Sequence, residues 1–381
     1  MKKKNSAVAT VVATLVIIAL AAFVFAQPML NTTSYTTDSD VAGFLGQAFG
    51  KYPVMVNEKD LEKVEVVEIG KSEDYQYITL ALNGFIEKRD AYYEAYNNAV
   101  QAGTSVPDSP DFSKELCMFQ TQGNVDGTLD ISLFKNAKEV NITGDVFKLS
   151  PTLEELKDMS GLKSLYIEPA ADSKITDISV LADKSSLTTI SLAGNEISDL
   201  SPLANLANLE SITLDSNGIS DISALGGKEN LKSISLIGNA IADISVLSTL
   251  NAVETLALDE NEISDISVLS GKETITNLSL SSNMITDISP IASMKNIYIV
   301  SLAANNITDV SPLAAFSEAT DNKFILLSEN PGITDWSSLD VLPENVMIIG
   351  KPEATETENE TAEGESVSVE ETEDAAEETE E

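Results

Sequence analysis

Between Leu187 and Leu203 the chain reads LTTISLAGNEISDLSPL, with apolar residues at Leu187, Ile190, Leu192, Ile197, Leu200 and Leu203 and mostly small or polar residues between them. Ile190 and Leu192 alternate with Thr189, Ser191 and Ala193, which predicts a short strand with one buried face. The second half predicts a short helical turn, with Ser201 as its cap and Pro202 at the first position, where no amide hydrogen is needed. The pattern recurs every 22 residues: Asn195, Asn217, Asn239, Asn261, Asn283 and Asn305 keep that spacing, as do Asp177, Asp199, Asp221, Asp243, Asp265, Asp287 and Asp309. Leu187, Leu209, Leu231, Val253, Ile275 and Ile297 open successive units. One such unit cannot bury its apolar face alone, so the units must stack into a solenoid.

Stacking sets the expected role of each repeated position. The strands form a parallel sheet, and each asparagine turns into the core, where its amide can satisfy backbone donors and acceptors of adjacent turns. Asn330, 25 residues after Asn305, extends this ladder. The aspartates form a row on the opposite side, roughly 5 Å apart if the units follow strand spacing. Such a row could in principle hold calcium, but it lacks the interleaved Gly and Asp of a calcium loop. The expected role is to accept local backbone hydrogen bonds.

Outside the clean array the pattern changes. Val41, Phe44, Leu45, Ala48 and Phe49 fall at helical intervals, followed by a short turn over Asn57–Leu61 and strand-like alternation from Val64 to Ile69. An atypical segment just upstream of repeats predicts a cap over the end of the core. Tyr75–Leu82 alternates as a strand, Ile86–Val100 predicts a helix ended by Gly103, and a Pro/Ser loop follows, so 70–129 is read as an irregular insertion. Tyr92, Tyr93 and Tyr96 lie on adjoining helical positions and are expected mainly to pack that helix against the array, with a contact surface as the alternative. Degraded units return from Asp130, with extra residues around Glu168–Ala170, and Val346–Ile349 closes the array. The domain reading is 1–30 signal peptide or signal anchor, 31–69 linker and helical cap, 70–129 insertion, 130–350 solenoid and 351–381 acidic tail.

Composition narrows the function. A formal charge of −38 argues against nucleic acid and anionic membranes as partners. The chain has no histidine, one arginine (Arg89) and one cysteine (Cys117), which removes histidine-based catalysis, His/Cys zinc sites and intramolecular disulfides. No cofactor or enzymatic activity is expected, and no nucleophile, base and orienting group can be assembled from the insertion. Three lysines precede the apolar run 7–26, which predicts export, either by a signal cleaved after Ala26 or by a retained anchor. Beyond Lys351, fourteen acidic residues and almost no large apolar ones predict a tail that does not fold by itself.

The units N-x-I-[STA]-D-[ILV]-S-[PVA]-[LI], preceded by LxxLxLxxN, resemble the leucine-rich repeats of the internalins and related bacterial surface proteins over roughly 130–349. The resemblance implies an α/β solenoid: a leucine-rich-repeat horseshoe with a parallel concave sheet, short helical turns on the convex side and a helical N-terminal cap. It also implies an extracellular or cell-surface protein whose concave face binds a protein ligand. No LPxTG wall-sorting signal or C-terminal immunoglobulin-like domain is evident. The outward strand positions are mostly Ser, Thr, Asn and Ala, so the candidate partner-binding residues are those that depart from them: Tyr166, Tyr298 and Phe324, with the acidic Asp215, Asp259 and Glu260. The expected function is protein binding or adhesion at the cell surface. The alternative is a structural envelope spacer without a dedicated ligand.

Overall fold

The computed structural model describes residues 62–71, 76–110, 116–121, 131–143, 149–169 and 173–352. The apolar run 7–26, the expected helix from Val41 and the acidic tail after 352 lie outside the described residues.

A single sheet of 13 strands runs through the described residues, in the order β13-β12-β11-β10-β9-β8-β7-β6-β5-β4-β1-β2-β3. The repeats contribute β4 (Glu139–Ile142), β5 (Ser164–Ile167), β6 (Thr189–Ser191), β7 (Ser211–Thr213) and β8 (Ser233–Ser235). They continue with β9 (Thr255–Ala257), β10 (Asn277–Ser279), β11 (Ile299–Ser301), β12 (Lys323–Leu326) and β13 (Val346–Ile349). These strands pair in parallel and in step, so that Ile190, Ile212, Ile234, Leu256, Leu278, Val300 and Ile325 follow one another as a fully buried row. A one-residue slip would turn that row out to solvent, which is why the period-two pattern fixes the register.

The sheet begins before the repeats become legible. Strand β1 (Val64–Lys71) lies partly in the segment assigned to the cap, yet it already runs parallel to β4 with Val67 opposite Val140 and Ile69 opposite Ile142. The segment read as an insertion continues the same sheet: β2 (Gln76–Leu82) and β3 (Leu116–Thr121) add to it in antiparallel pairing. The alternation in β1 and β2 predicts strands, but their partners are distant in sequence, so local pattern alone could not place them in the solenoid's sheet.

Between β2 and β3, helix α1 (Phe85–Ala102) ends at Gly103, whose φ of 65° sits in the left-handed region that favours glycine. Phe85 and Ile86 pack on Val66 and Ala81, and from Glu87 onward most of the helix is exposed. Buried Glu65 accepts from the backbone N–H of Gly84 at 3.1 Å and from Nζ of Lys138 at 2.6 Å. Arg89 donates to both carboxylate oxygens of Glu139 on β4, at 2.6 and 2.8 Å. The helix is therefore fixed by its first turn and one bidentate ion pair. Tyr93 and Tyr96 are 44% and 37% exposed, so the expectation that the tyrosines pack α1 against the array is overturned. They cluster instead with Tyr92.

Each repeat returns through a short 3-10 turn, such as Ser201–Leu203 or Ser289–Ser293. The cap differs from the sequence expectation. Ser201 is not the acceptor; its N–H donates to Asp199 Oδ1 at 2.8 Å and its hydroxyl to Oδ2 at 2.9 Å. The same Asp-to-Ser backbone bond recurs from Asp177 to Asp335. The longer step before Asn330 is absorbed partly by a six-residue turn, Ser311–Phe316, whose Phe316 is buried.

The asparagines join neighbouring units. Asn261 Oδ1 accepts from Ile241 N at 3.0 Å, while its Nδ2 donates to Leu236 O in the preceding unit and to Leu258 O and Asp259 O in its own. The same acceptor geometry is made by Asn195, Asn217, Asn239, Asn283, Asn305 and Asn330. Two further features escape the sequence pattern. Lys184, Lys228 and Lys323 are buried, and Lys228 Nζ donates to the carbonyls of Leu203, Ala204 and Leu206. Ser216, Glu260, Ser282, Ala304 and Glu329 adopt φ between 52° and 58° at the turn where Gly194 and Gly238 stand in other units.

Two substitutions test these readings. Asn261→Leu leaves Ile241 N–H without its side-chain acceptor, at about 1–3 kcal/mol for a group left buried and unpaired, while Leu236 C=O keeps its bond from Asn239 Nδ2. The urea midpoint should fall accordingly. Ala304→Gly relieves a left-handed residue, worth roughly 1–2 kcal/mol, against a glycine entropy cost of about 0.5–1 kcal/mol. The midpoint should therefore stay level or rise, and a clear fall would show that the turn is not strained.

Candidate protein-binding face

Across β6 to β10 the outward-facing strand positions are Thr189 and Ser191, Ser211 and Thr213, Ser233 and Ser235, Thr255 and Ala257, and Asn277 and Ser279, all partly exposed. This stretch offers small side chains and hydroxyls with little apolar area. The last three strands differ. Register places Ile299, Phe324 and Met347 side by side in one row and Ser301, Leu326 and Ile349 in the next. Tyr298, at the entrance to β11, meets Phe324 edge-on, with ring centroids 5.4 Å apart and planes at 80°, a favourable arrangement of aromatic quadrupoles. Met347 and Ile349 are 43% and 39% exposed, and Phe324 and Leu326 are half-buried. These residues form a contiguous apolar patch at one end of the concave face.

The candidate residues thus divide. Tyr298 and Phe324 are brought together, and the structure adds Ile299, Leu326, Met347 and Ile349 to them. Ile299 is the outward residue of β11, and the signal for Leu326, Met347 and Ile349 lay in FILL and VMII, where apolar residues occupy both strand parities and so cannot all face the core. Tyr166 lies on β5, six strands from β11, and is not part of this patch. Its hydroxyl donates to Glu168 Oε1 at 2.8 Å, and burial together with that carboxylate raises the phenol's pKa.

The acidic candidates also carry structural duties. Asp215 Oδ1 accepts from Ser235 Oγ at 2.7 Å and Ile237 N at 2.9 Å. Asp259 Oδ1 accepts from Ser279 Oγ at 2.6 Å and Ser281 N at 2.8 Å. Each carboxylate therefore ties its turn to the next repeat. Burial raises the Asp215 pKa, opposed by those two hydrogen bonds. Glu260 is exposed on its left-handed turn and is the acid among the three that points freely into solvent. On the convex side, the aspartate row spends its oxygens on serine N–H and hydroxyl groups. Among the described residues, no group of three or more His, Cys, Asp or Glu side chains is arranged to hold a metal ion.

The leucine-rich-repeat family model, in two-copy form, matches residues 185–227 and 273–315. Both segments carry the parallel strand, the buried asparagine and the 3-10 return. The matched segments are leucine-rich repeats, and the described residues have an internalin-like solenoid fold. An internalin (inlF) of Listeria monocytogenes superposes with a TM-score of 0.54 at 23% identity, covering 82% of this chain and 83% of that one. Internalin C2 of the same organism gives 0.47 at 24% identity over 69% and 92% of the two chains. A leucine-rich-repeat protein of Leptospira interrogans gives 0.44 at 18% identity over 57% and 67%. No curated protein matches by sequence. Among the described residues, no helix is long and apolar enough to cross a membrane.

The convex aspartates make acid sensitivity a test of this geometry. Hydrogen bonds from serine hold Asp199, Asp221, Asp243, Asp265, Asp309 and Asp335 below the ordinary carboxylate value. A depressed folded-state pKa contributes stability above the unfolded value, about 3.9 for Asp, and loses it as pH falls through the folded value. Burial shifts Asp215 and Glu68 upward, which acts in the opposite sense. The six aspartates outnumber them, so the thermal midpoint should hold from neutrality to about pH 5 and fall below about pH 4. A midpoint that rises on acidification to that range would contradict the assignment.

Proposed function

We propose that this chain is an exported bacterial protein that binds a protein ligand at the cell surface, using the apolar end of its concave face. The observation that carries the reading is the patch of Tyr298, Ile299, Phe324, Leu326, Met347 and Ile349 beside an otherwise Ser/Thr-lined sheet. Folding accounts for the inward positions of β11 to β13, but it does not require apolar residues on the outward ones. Aromatic side chains at a partly desolvated position are the residue types that dominate binding energy. The three lysines and apolar run at the N-terminus support export. The net charge of −38 favours a ligand with basic residues flanking its apolar contact, and exposed Glu260 and Glu329 lie at turns bordering the same face.

A photo-crosslinking amino acid placed at 324, and separately at 233 on the Ser/Thr stretch, tests this on intact cells. A discrete, saturable adduct from position 324 that position 233 does not give is expected. Combining Tyr298→Ser with a crosslinker at 349 should reduce the adduct several-fold while leaving the thermal midpoint within a few degrees. Equal or absent labelling at the two positions would instead favour the envelope-spacer reading.

A further inference from the structure

Among the described residues, the last strand of the sheet has an open side. Lys323 N donates to Asn345 O at 2.9 Å and Leu327 N to Ile349 O at 2.8 Å, so odd-numbered residues of β13 turn their backbone groups toward β12. Backbone groups alternate along a strand, so those of the even-numbered residues, Val346 O and Ile348 N and O, face the other way. Among the described residues no strand lies beyond β13. Edge strands in soluble proteins are usually blunted by a charge, a proline or a bulge within the strand. Val346-Met347-Ile348-Ile349 contains none of these, and Met347 and Ile349 are exposed on its concave side.

We infer that β13 pairs with β13 of a second copy of this chain, antiparallel about a two-fold axis at Ile348. Antiparallel pairing requires residues that present backbone groups to face one another, which limits the axis to a few registers. Centred on Ile348, the pair sets Ile348 opposite its own copy as a hydrogen-bonded pair. It also brings Met347 of each chain beside Ile349 of the other on the concave side, in the closer, non-hydrogen-bonded pairing. Asn345 then faces Lys351, which in the monomer binds Asp340 at 2.7 Å. Shifting the axis to Met347 sets Ile349 against Asn345, and shifting it to Ile349 sets Met347 against Lys351. The Ile348 register is therefore the one that buries the most apolar surface.

No charge lies between Val346 and Ile349, so the axis brings no like charges together inside the strands. This self-complementarity favours a second copy over other occupants, because a two-fold contact uses the same patch twice. The chain's own residues 353–381 are a poor match for an apolar edge, since they carry fourteen carboxylates. Outside the strands the two bodies and their tails share one sign of charge. Added salt should therefore strengthen the dimer, the reverse of its effect on a contact between opposite charges.

Site-directed disulfide formation in the full chain tests this, in a Cys117→Ser background. Cys117 lies on β3, at the far end of the sheet. Met347→Cys with Ile349→Cys should give covalent dimers on oxidation at least about tenfold in excess of Met347→Cys alone, because position 347 faces 349 and not its own copy. Ile349→Lys, at an exposed position, should raise the dimer dissociation constant roughly tenfold in sedimentation equilibrium with an unchanged thermal midpoint. Monomers throughout, a ladder of higher oligomers, linking that ignores register or dissociation by salt would each overturn the inference. Loss of the ligand adduct at position 324 would leave it untouched.

Discussion

Each asparagine amide in the ladder satisfies backbone groups in its own turn and in the one before it, so no repeat completes its hydrogen bonding alone. That dependence fixes the spacing. An insertion between strand and asparagine would move the amide away from the N–H and C=O groups it pairs, leaving them buried and unsatisfied. The three extra residues before Asn330 are tolerated because they fall elsewhere, and Asn330 still reaches Ile307 N at 3.2 Å and Leu302 O at 2.9 Å. The array is cooperative from neighbour to neighbour for the same reason, in the manner of a one-dimensional lattice.

With the inward positions committed to this lattice, variation is confined to the outward strand positions, the left-handed turns and the two ends. Most of the outward positions are small and polar, which leaves the sheet solvated without inviting association. The apolar residues of β11 to β13 break that rule in adjacent rows. Their clustering on one face, more than the presence of any single aromatic, is what separates a site from incidental exposed side chains. Helix α1 is a second departure, held by Arg89 and its first turn with Tyr93 and Tyr96 in solvent.

The strand register, the buried asparagines and the backbone duty of the aspartates were legible in the sequence because each repeats at a fixed interval and answers to one local rule. What escaped it needed contacts across repeats. Lysine at 228 reads as a surface residue until its ammonium is placed on three carbonyls of the turn beneath. Ser201 reads as a cap because serine commonly is one, but Asp199 two residues earlier competes for the same role and wins through its charge. The left-handed turns are marked by glycine only at 194 and 238, so Glu260 and Ala304 could not be placed there by residue type. In the candidate site, Tyr298 and Phe324 stood out as aromatics. Met347 and Ile349 did not, because an apolar strand at the end of an array reads as core until its side chains are found exposed among the described residues.

The buried lysines have a consequence for how such a chain can change length. Buried Lys184 and Lys228 and half-buried Lys272 stand 44 residues apart, and Leu206, Leu250 and Met294 fill the same place in the units between them. Each ammonium therefore sits above a turn that contributes carbonyls and no second buried ammonium. Removing one unit would stack two lysine-bearing turns about 5 Å apart, bringing two poorly hydrated positive charges together. Removing a pair preserves the alternation. Removal of two adjacent units between Lys184 and Met294 therefore conserves the electrostatics beneath these turns, whereas removal of one does not.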